Sequence, residues 1–517
     1  MKHKNEIVVL VLIIIFQYFP YINKPFNVDD PFYIKMAKHA VENPLKPYSF
    51  TINWSGELRD AWEYTEATFP PLIPLYTGII IKIFGERENG LHLAFLVFSL
   101  IGAISMYNIA KRFNAPPLFA ALLLCSTPAF LVTSTTLMLD VPLLAFWLLA
   151  LSLFIKGVDA DNRTFLFLSS ISAGICSLVK YTGLFVFPMM FLYLLLNRKQ
   201  LKYLFWLIPG LLVFLSWCAH NLVFYSGLHF LRAGIHIGKA ISLHKTIGII
   251  TFLSGVTVFP LFLLFFIRGK KEIFYSAAIA LLMFFFSVIL FDDVLCAVLF
   301  FMLSTASLIL IIKLFSRMRT DPDSIFMLSW FSIIFFLNFI AEPWVAARYF
   351  LLLVPPLAIF FSKTMGANSS KALRVLFLAL TMLSAHALNY ADYLWAAGYK
   401  DFSKYCQAKG YNRGYFTGHF GFQYYLEKAG LKALEIKDTV ITPGSFLLTA
   451  RLPDPQEPAQ ALKKKLLFVE HRPYSSFFPV RIMDPRSRAG FYSSFWGIFP
   501  FSISSQNVED FYVFYVK

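Results

Sequence analysis

The sequence predicts an α-helical polytopic membrane protein with a small α/β domain at its C-terminal end. Three observations predict it. Of 517 residues, 58% are hydrophobic and only 15% charged, where a soluble domain carries about 25% charged residues. Apolar runs long enough to cross a bilayer, which takes roughly 20 residues, recur along most of the length. From about Ala391 onward, charged and turn-forming residues return and short alternating patterns replace the long runs. The formal net charge of +16 sits mostly in short loops between apolar runs. That placement fits membrane topology and gives no reason to invoke nucleic acid.

The elements follow in order. Lys2 and Lys4 precede an apolar stretch over residues 7–19. No small-residue cleavage site follows at Pro20-Tyr21-Ile22-Asn23, so the stretch reads as a retained first helix. With its lysines in the cytoplasm, residues 23–89 form an outer loop. The apolar part of that loop, 71–84, is short and interrupted by Lys82, and reads as a helix lying at the interface. Helix 2 covers roughly 91–110 and meets Lys111 and Arg112 inside. Helix 3 returns to about Thr135, which leaves Asp140 near the outer face, and helix 4 descends to Lys156. Helices 5, 6 and 7 reach Lys180, Asn197-Arg198-Lys199 and Phe224. Helices 8 and 9 reach Arg268-Gly269-Lys270-Lys271 and Asp292-Asp293. Helices 10, 11 and 12 end at Lys313 with Arg317 and Arg319, at Glu342-Pro343-Trp344, and at Lys363; helix 13 runs from Arg374 to Tyr390. The total is about 13 helices, an odd number, which puts the C-terminus outside.

The chain thus divides into a membrane domain, 1–391, and an extracytoplasmic α/β domain, 392–517. In the latter, strands are expected at 445–452, 466–470 and 512–516, with a helix at 422–428 stopped by Gly430. Cys125, Cys176, Cys218 and Cys296 fall within apolar runs and Cys406 stands alone, which argues against disulfides and a zinc cluster. The expected location is the plasma (inner) membrane, multi-pass, with the N-terminus cytoplasmic.

An ionisable residue at membrane depth is costly and is a functional candidate by default. Asp29 and Asp30 lie just after helix 1 and precede Pro31, so they read either as a solvated helix cap or as paired acids at the membrane edge. Glu63 and Glu66 read as loop charges or as further acids of the same site. Under one topology Asp29, Asp30, Glu63, Glu66 and Asp140 reach the same face, and so do Lys180 and Arg348. The two bases read as interfacial snorkelling residues or as phosphate holders, because a guanidinium grips two phosphate oxygens at once. The outer loop with Arg232, Lys239 and Lys245 breaks the charge rule. It reads either as a common mid-chain exception or as a patch receiving a lipid phosphate. Acids beside bases at a membrane boundary suit a reaction that activates a hydroxyl or amine and releases a phosphate.

Asp29-Asp30-Pro31-Phe32-Tyr33, Phe69-Pro70-Pro71-Leu72 with Leu75-Tyr76, and Phe84-Gly85 with Glu88 occur in this order. They are followed by Leu139-Asp140-Val141-Pro142-Leu143, by Lys180-Tyr181-Thr182-Gly183-Leu184 with Pro188, and by Arg348-Tyr349 with Pro355-Pro356. The stretch GHFGFQYYL spans 418–426. The series resembles the GT-C type membrane glycosyltransferases, in particular glycosyltransferase family 39, the protein O-mannosyltransferase and aminoarabinose–lipid A transferase group. The resemblance implies a polyprenyl-phosphate-linked sugar as donor, membrane lipids as surroundings, and inverting transfer to a lipid, glycan or protein acceptor. It implies Asp29 as general base with Asp30 beside it, Asp140 in positioning or metal binding, and Lys180, Arg348 and Tyr349 at the donor phosphate. Relatives often carry His or Lys where this chain has Phe69, so a divalent metal, with Glu66 and Glu63 as substitute ligands, stays open. A transporter or flippase of a lipid-linked saccharide would share the helices and charges, but no paired repeat is visible. A polymerase or ligase of surface polysaccharide is a second alternative.

Overall fold

The structure, a computed structural model, describes residues 2–64, 69–233, 242–257, 267, 269–316, 321–411, 413–438 and 441–517. In chain order the helices are α1 (Lys2–Tyr18), α2 (Asp30–Glu42), α3 (Leu72–Phe84), α4 (Glu88–Arg112), α5 (Pro117–Cys125) and α6 (Pro128–Ser134). Then come α7 (Asp140–Asp159), α8 (Arg163–Val179), α9 (Val186–Leu196), α10 (Ile208–Tyr225), α11 (His229–Ala233) and α12 (Leu243–Val256). The last seven are α13 (Lys270–Leu290), α14 (Val294–Ser316), α15 (Pro322–Ile340), α16 (Val354–Asn368), α17 (Lys371–Lys409), α18 (Phe420–Lys428) and the short α19 (Gln460–Lys463).

Among the described residues, nine helices are long and apolar enough to cross a bilayer. The pair α5 and α6, bent by 61° at their junction, makes a tenth if it is one broken span. The bend has a local cause. Pro128 cannot continue α5, and Thr127 caps α6 by accepting from Phe130 N at 3.3 Å. The other three predicted spans fall on the shorter apolar helices Arg163–Val179, Tyr181–Leu196 and Leu243–Val256. The chain is therefore a multi-pass membrane protein, with nine or ten full-length spans among the described residues where the sequence predicts about 13 helices. Prolines mark where helices start: α2, α5, α6, α10, α15 and α16 each carry one at the first or second position. There the missing N–H is not needed.

The thirteenth predicted helix does not stop at Tyr390. It runs 39 residues to Lys409, where Gly410 at φ 78° closes it. The reason is a continued buried stripe, Leu388, Trp395, Tyr399, Phe402 and Cys406, whose three- and four-residue steps hold one face against the C-terminal strands. Phe402 stacks on Phe511 with ring centroids 4.0 Å apart. One buried core accordingly extends from Leu10 of the first helix to Val513.

The segment after α1 contains α2, a short hairpin of β1 (Thr51–Asn53) and β2 (Leu58–Asp60), and then α3. The C-terminal part holds β3 (Gly414–Thr417), β4 (Lys432–Ala433), β5 (Phe446–Ala450), β6 (Leu466–Tyr474) and β7 (Val480–Arg481). It continues with β8 (Met483–Asp484), β9 (Ala489–Gly490), β10 (Ser502–Ile503) and β11 (Glu509–Val516). Five of these make a mixed sheet in the order β4-β3-β5-β11-β6. β3 runs parallel to β4 and β5, and β11 antiparallel to β5 and β6. β7 pairs with β10, and β8 with β9. The three predicted strands and the predicted helix correspond to β5, β6, β11 and α18.

Candidate functional site

Asp29 and Asp30 occupy one turn and do different things. The chain leaves the first span, bends at Val28 with φ 47°, and enters α2 through Pro31. A β-branched residue at positive φ is strained by about 1–3 kcal/mol and persists only where its surroundings fix it. Asp29 stands at the cap position, yet its side chain makes no capping hydrogen bond. Its Oδ2 lies 3.3 Å from Arg348 Nη1 instead. Asp30 is fully buried and accepts from Leu137 N at 2.7 Å and Asn27 N at 3.2 Å. Asp30 thus ties the turn to the loop that precedes Asp140.

Asp140 opens α7, 6% exposed, and Lys180 ends α8 in extended conformation. The chain turns back directly after Lys180 because Gly183 packs on α8. A Cβ there would stand 2.3 Å from the Cys176 carbonyl oxygen. Lys180 Nζ is 3.2 Å from Asp140 Oδ1, and Arg348 Nε is 3.8 Å from Asp140 Oδ2. Asp29, Arg348, Asp140 and Lys180 therefore form one chain of alternating charge drawn from four distant segments. Tyr349 lies beneath both bases, its ring centre 5.3 Å from the Arg348 guanidinium carbon and 5.2 Å from Lys180 Nζ. Phe69 offers Lys180 a second ring face at 5.3 Å. An aromatic at that position serves the cluster as a cation holder. Burial raises the Asp29 carboxyl above its ordinary range. Arg348 opposes the rise, Asp140 adds to it and Lys180 opposes it.

The cluster borders a cavity of about 40 Å³. Its lining combines Asp140, Lys180, Arg348 and Glu342 with apolar side chains, among them Leu337 and Leu351. At that volume it holds about one water, so the ion pairs fill the site. The C-terminal part grips both halves of the cluster. Val345 N donates to Ser494 Oγ at 3.0 Å, Ser494 N to Val345 O at 2.8 Å, and Ala347 N to Phe491 O at 2.8 Å, which fixes the turn carrying Arg348. Phe26 N donates to Tyr425 Oη at 3.0 Å and Gly421 N to Asn27 Oδ1 at 3.2 Å, which fixes the turn carrying Asp29.

Residues 68–224 match the family model described as dolichyl-phosphate-mannose-protein mannosyltransferase. The chain superposes on ArnT from Cupriavidus metallidurans bound to undecaprenyl phosphate, with 14% identity and a TM-score of 0.50, over 86% of this chain and 93% of that one. The chain has the fold of that protein, and its residues 68–224 are similar to a glycosyltransferase family. The Archaeoglobus fulgidus oligosaccharyltransferase in its apo form is also similar, with 13% identity and a TM-score of 0.49, over 84% of this chain and 64% of that one. No curated protein sequence matches the chain.

The predicted metal pair finds no partners among the described residues. Glu63 is exposed, and Glu66 lies outside the described residues. Among the described residues no three His, Cys, Asp or Glu side chains gather closely enough to hold an ion. Asp29 and Asp140 are already taken by bases. The residues present fit a phosphate grip better than a metal cage, and no step is derived through a metal.

The predicted basic patch also dissolves. Lys245 is 2% exposed and donates to the carbonyls of Phe339, at 2.7 Å, and Glu342. It satisfies the end of α15 just before the Arg348 turn. Arg232 lies over the Trp62 ring at 5.6 Å, and Lys239 is outside the described residues, as are Arg268, Arg317 and Arg319. Sequence reasoning gave no role to Tyr33, a buried neighbour whose phenol is held well above its usual range by burial and then by Asp29. It also missed Asn338, whose Nδ2 donates to Tyr349 O at 2.7 Å. Tyr33 stands within the quoted acidic motif, so its signal was present; Asn338 carried none.

Proposed function

We propose that this glycosyltransferase moves a sugar from a polyprenyl-phosphate donor to an acceptor on the extracytoplasmic face of the plasma membrane, with inversion at the anomeric carbon. The observation that carries the reading is the line Asp29–Arg348–Asp140–Lys180, which ends at a cavity with an apolar side. That pairing of charge with apolar surface suits a phosphate headgroup on an isoprenoid chain. The undecaprenyl phosphate bound to the structurally similar ArnT supports the same donor class.

Arg348 and Lys180 hold the donor phosphate, Arg348 through its fork and Lys180 as a point charge. Because Arg348 is paired with Asp29 in the unloaded site, the arriving phosphate competes with Asp29 for it. Asp29 is left without its cation in a partly buried place, where its basicity rises. It then takes the proton from the acceptor hydroxyl or amine. The acceptor atom bonds to the anomeric carbon from the face opposite the phosphate. The carbon–oxygen bond to phosphate breaks and its electron pair leaves on the phosphate, where the two bases hold the added charge. Asp140 keeps Lys180 and Arg348 in place.

Residues 1–391 carry this chemistry and 392–517 form the extracytoplasmic unit, with the N-terminus in the cytoplasm, as the loop lysines and arginines support. The test is Asp29→Asn. It should abolish release of polyprenyl phosphate from the lipid-linked sugar while the purified protein still binds undecaprenyl phosphate. Full turnover in that variant would remove Asp29 as base. Donor movement between leaflets with no new glycosidic bond would favour a flippase instead.

A further inference from the structure

A second cavity lies away from the ion-pair line. It is an open groove of about 770 Å³ between the start of α14 and the C-terminal strands. Ligand sites fall in the range of about 300–1,000 Å³, so this groove has room for a headgroup that the 40 Å³ catalytic cavity, as it stands, does not. A short stretch of chain joins the two places. Ser494 holds the Arg348 turn, while Arg488, six residues earlier, sits over Phe291 at 4.9 Å in the corner between α13 and α14.

Its two walls differ in kind. Leu295 and Leu299 come from a candidate span and are apolar. The opposite wall presents Arg486, Arg488 and serine hydroxyls, among them Ser502 and Ser504. Phe477, fully exposed, also lines it. The one acid among the lining residues, Asp293, is engaged in starting α14, accepting from Cys296 N at 2.7 Å. Arg486 is half exposed, and its nearest acid, Asp510 at 3.7 Å, is already held by Arg451 at 3.3 Å and His471 at 3.0 Å. Arg488 sits over the Phe291 ring at 4.9 Å and near enough to Asp293 to favour its carboxylate, with no acid in ion-pair contact among the described residues. Two arginines with donors to spare, hydroxyls beside them and an apolar floor continuous with a membrane helix match one kind of molecule.

We propose that this groove is a second lipid site, which takes the phosphate headgroup of an anionic membrane lipid with its chains along Leu295 and Leu299. It is separate from the donor site and does not depend on the roles given to Asp29 or Arg348. The test uses the full chain in nanodiscs of mixed phosphatidylglycerol and phosphatidylcholine, with retained lipid read by native mass spectrometry. The wild type should keep phosphatidylglycerol in preference to phosphatidylcholine. R486A/R488A should lower that retention by about tenfold or more, the worth of charge-assisted hydrogen bonds. K464A/K465A, which removes the same charge from an exposed turn, should not. The melting temperature of R486A/R488A should match that of the wild type and confirm that the variant is folded. Equal retention of the two lipids, or equal loss in both double variants, would overturn the proposal. Displacement of the lipid by inorganic phosphate as complete as by phosphatidylglycerol would mean a free-anion site and overturn it too.

Discussion

Gly421→Ala tests whether the C-terminal part sets the position of Asp29. In an ordinary helical site this change stabilises by about 0.4–1 kcal/mol, because alanine has less freedom to lose. Here the added Cβ would stand 2.4 Å from the Phe26 carbonyl oxygen and 3.2 Å from Asn27 Oδ1. An unstrained contact is about 1 Å longer than the first of these, so the 26–27 backbone or α18 must retreat by that amount. Overpacking of this kind costs about 1–3 kcal/mol, which outweighs the helical gain, and the Gly421 N to Asn27 bond is stretched as well. The displaced residues lead within two positions to Asp29. A misplacement of about 1 Å at a reacting group costs roughly 100-fold in rate. The expected outcome is a lower melting temperature and a loss of polyprenyl phosphate release of about that size. Undecaprenyl phosphate binding should be nearly unchanged, because the Arg348 turn is held by Ser494 rather than by α18. A variant more stable than the wild type and fully active would refute the reasoning, since it would mean that α18 and the Asp29 turn do not touch as described.

Burial lifts the Asp30 carboxyl to about 7 from 3.8, and that of Glu509 to about 7 from 4.5. A raised carboxyl keeps its proton in the folded state. Stability is then full below about pH 4, falls as pH rises to about 7 while only the unfolded chain ionises, and levels off above. Asp30→Asn should flatten part of that fall, by at most a few kcal/mol, in melting measured against pH; an unchanged slope would remove Asp30 as its source. Lys245→Met leaves the Phe339 and Glu342 carbonyls without their donor and should cost about 1–3 kcal/mol in thermal stability. The same variant should bind undecaprenyl phosphate normally, whereas a phosphate-receiving patch would lose binding.

Helices were legible because apolar runs and prolines at their starts are local signals. So were Asp140, Lys180 and Arg348, each of which follows or begins such a run. What Asp29 does was legible only as a choice between a helix cap and a paired acid. An aspartate before Asp-Pro at a helix start reads as a cap, and only the tertiary position of Arg348, more than 300 residues away in sequence, turns it into a paired acid. The same limit applied to Lys245, whose partners are backbone carbonyls that no pattern displays. The end of the last helix was misjudged for a different reason. Past Tyr390 the sequence becomes amphipathic, which reads as the close of a membrane span, but the stripe from Leu388 to Cys406 is satisfied by the strands.

That uninterrupted last helix has a mechanical consequence. At 1.5 Å per residue its 39 residues reach about 58 Å, nearly twice the roughly 30 Å hydrocarbon thickness. It acts as a mast. With no hinge between membrane and sheet, and with Phe402 stacked on Phe511, the strands cannot swing away to admit a bulky substrate. On the proposed function, an acceptor would then reach the Asp29–Arg348 cluster beneath a fixed roof.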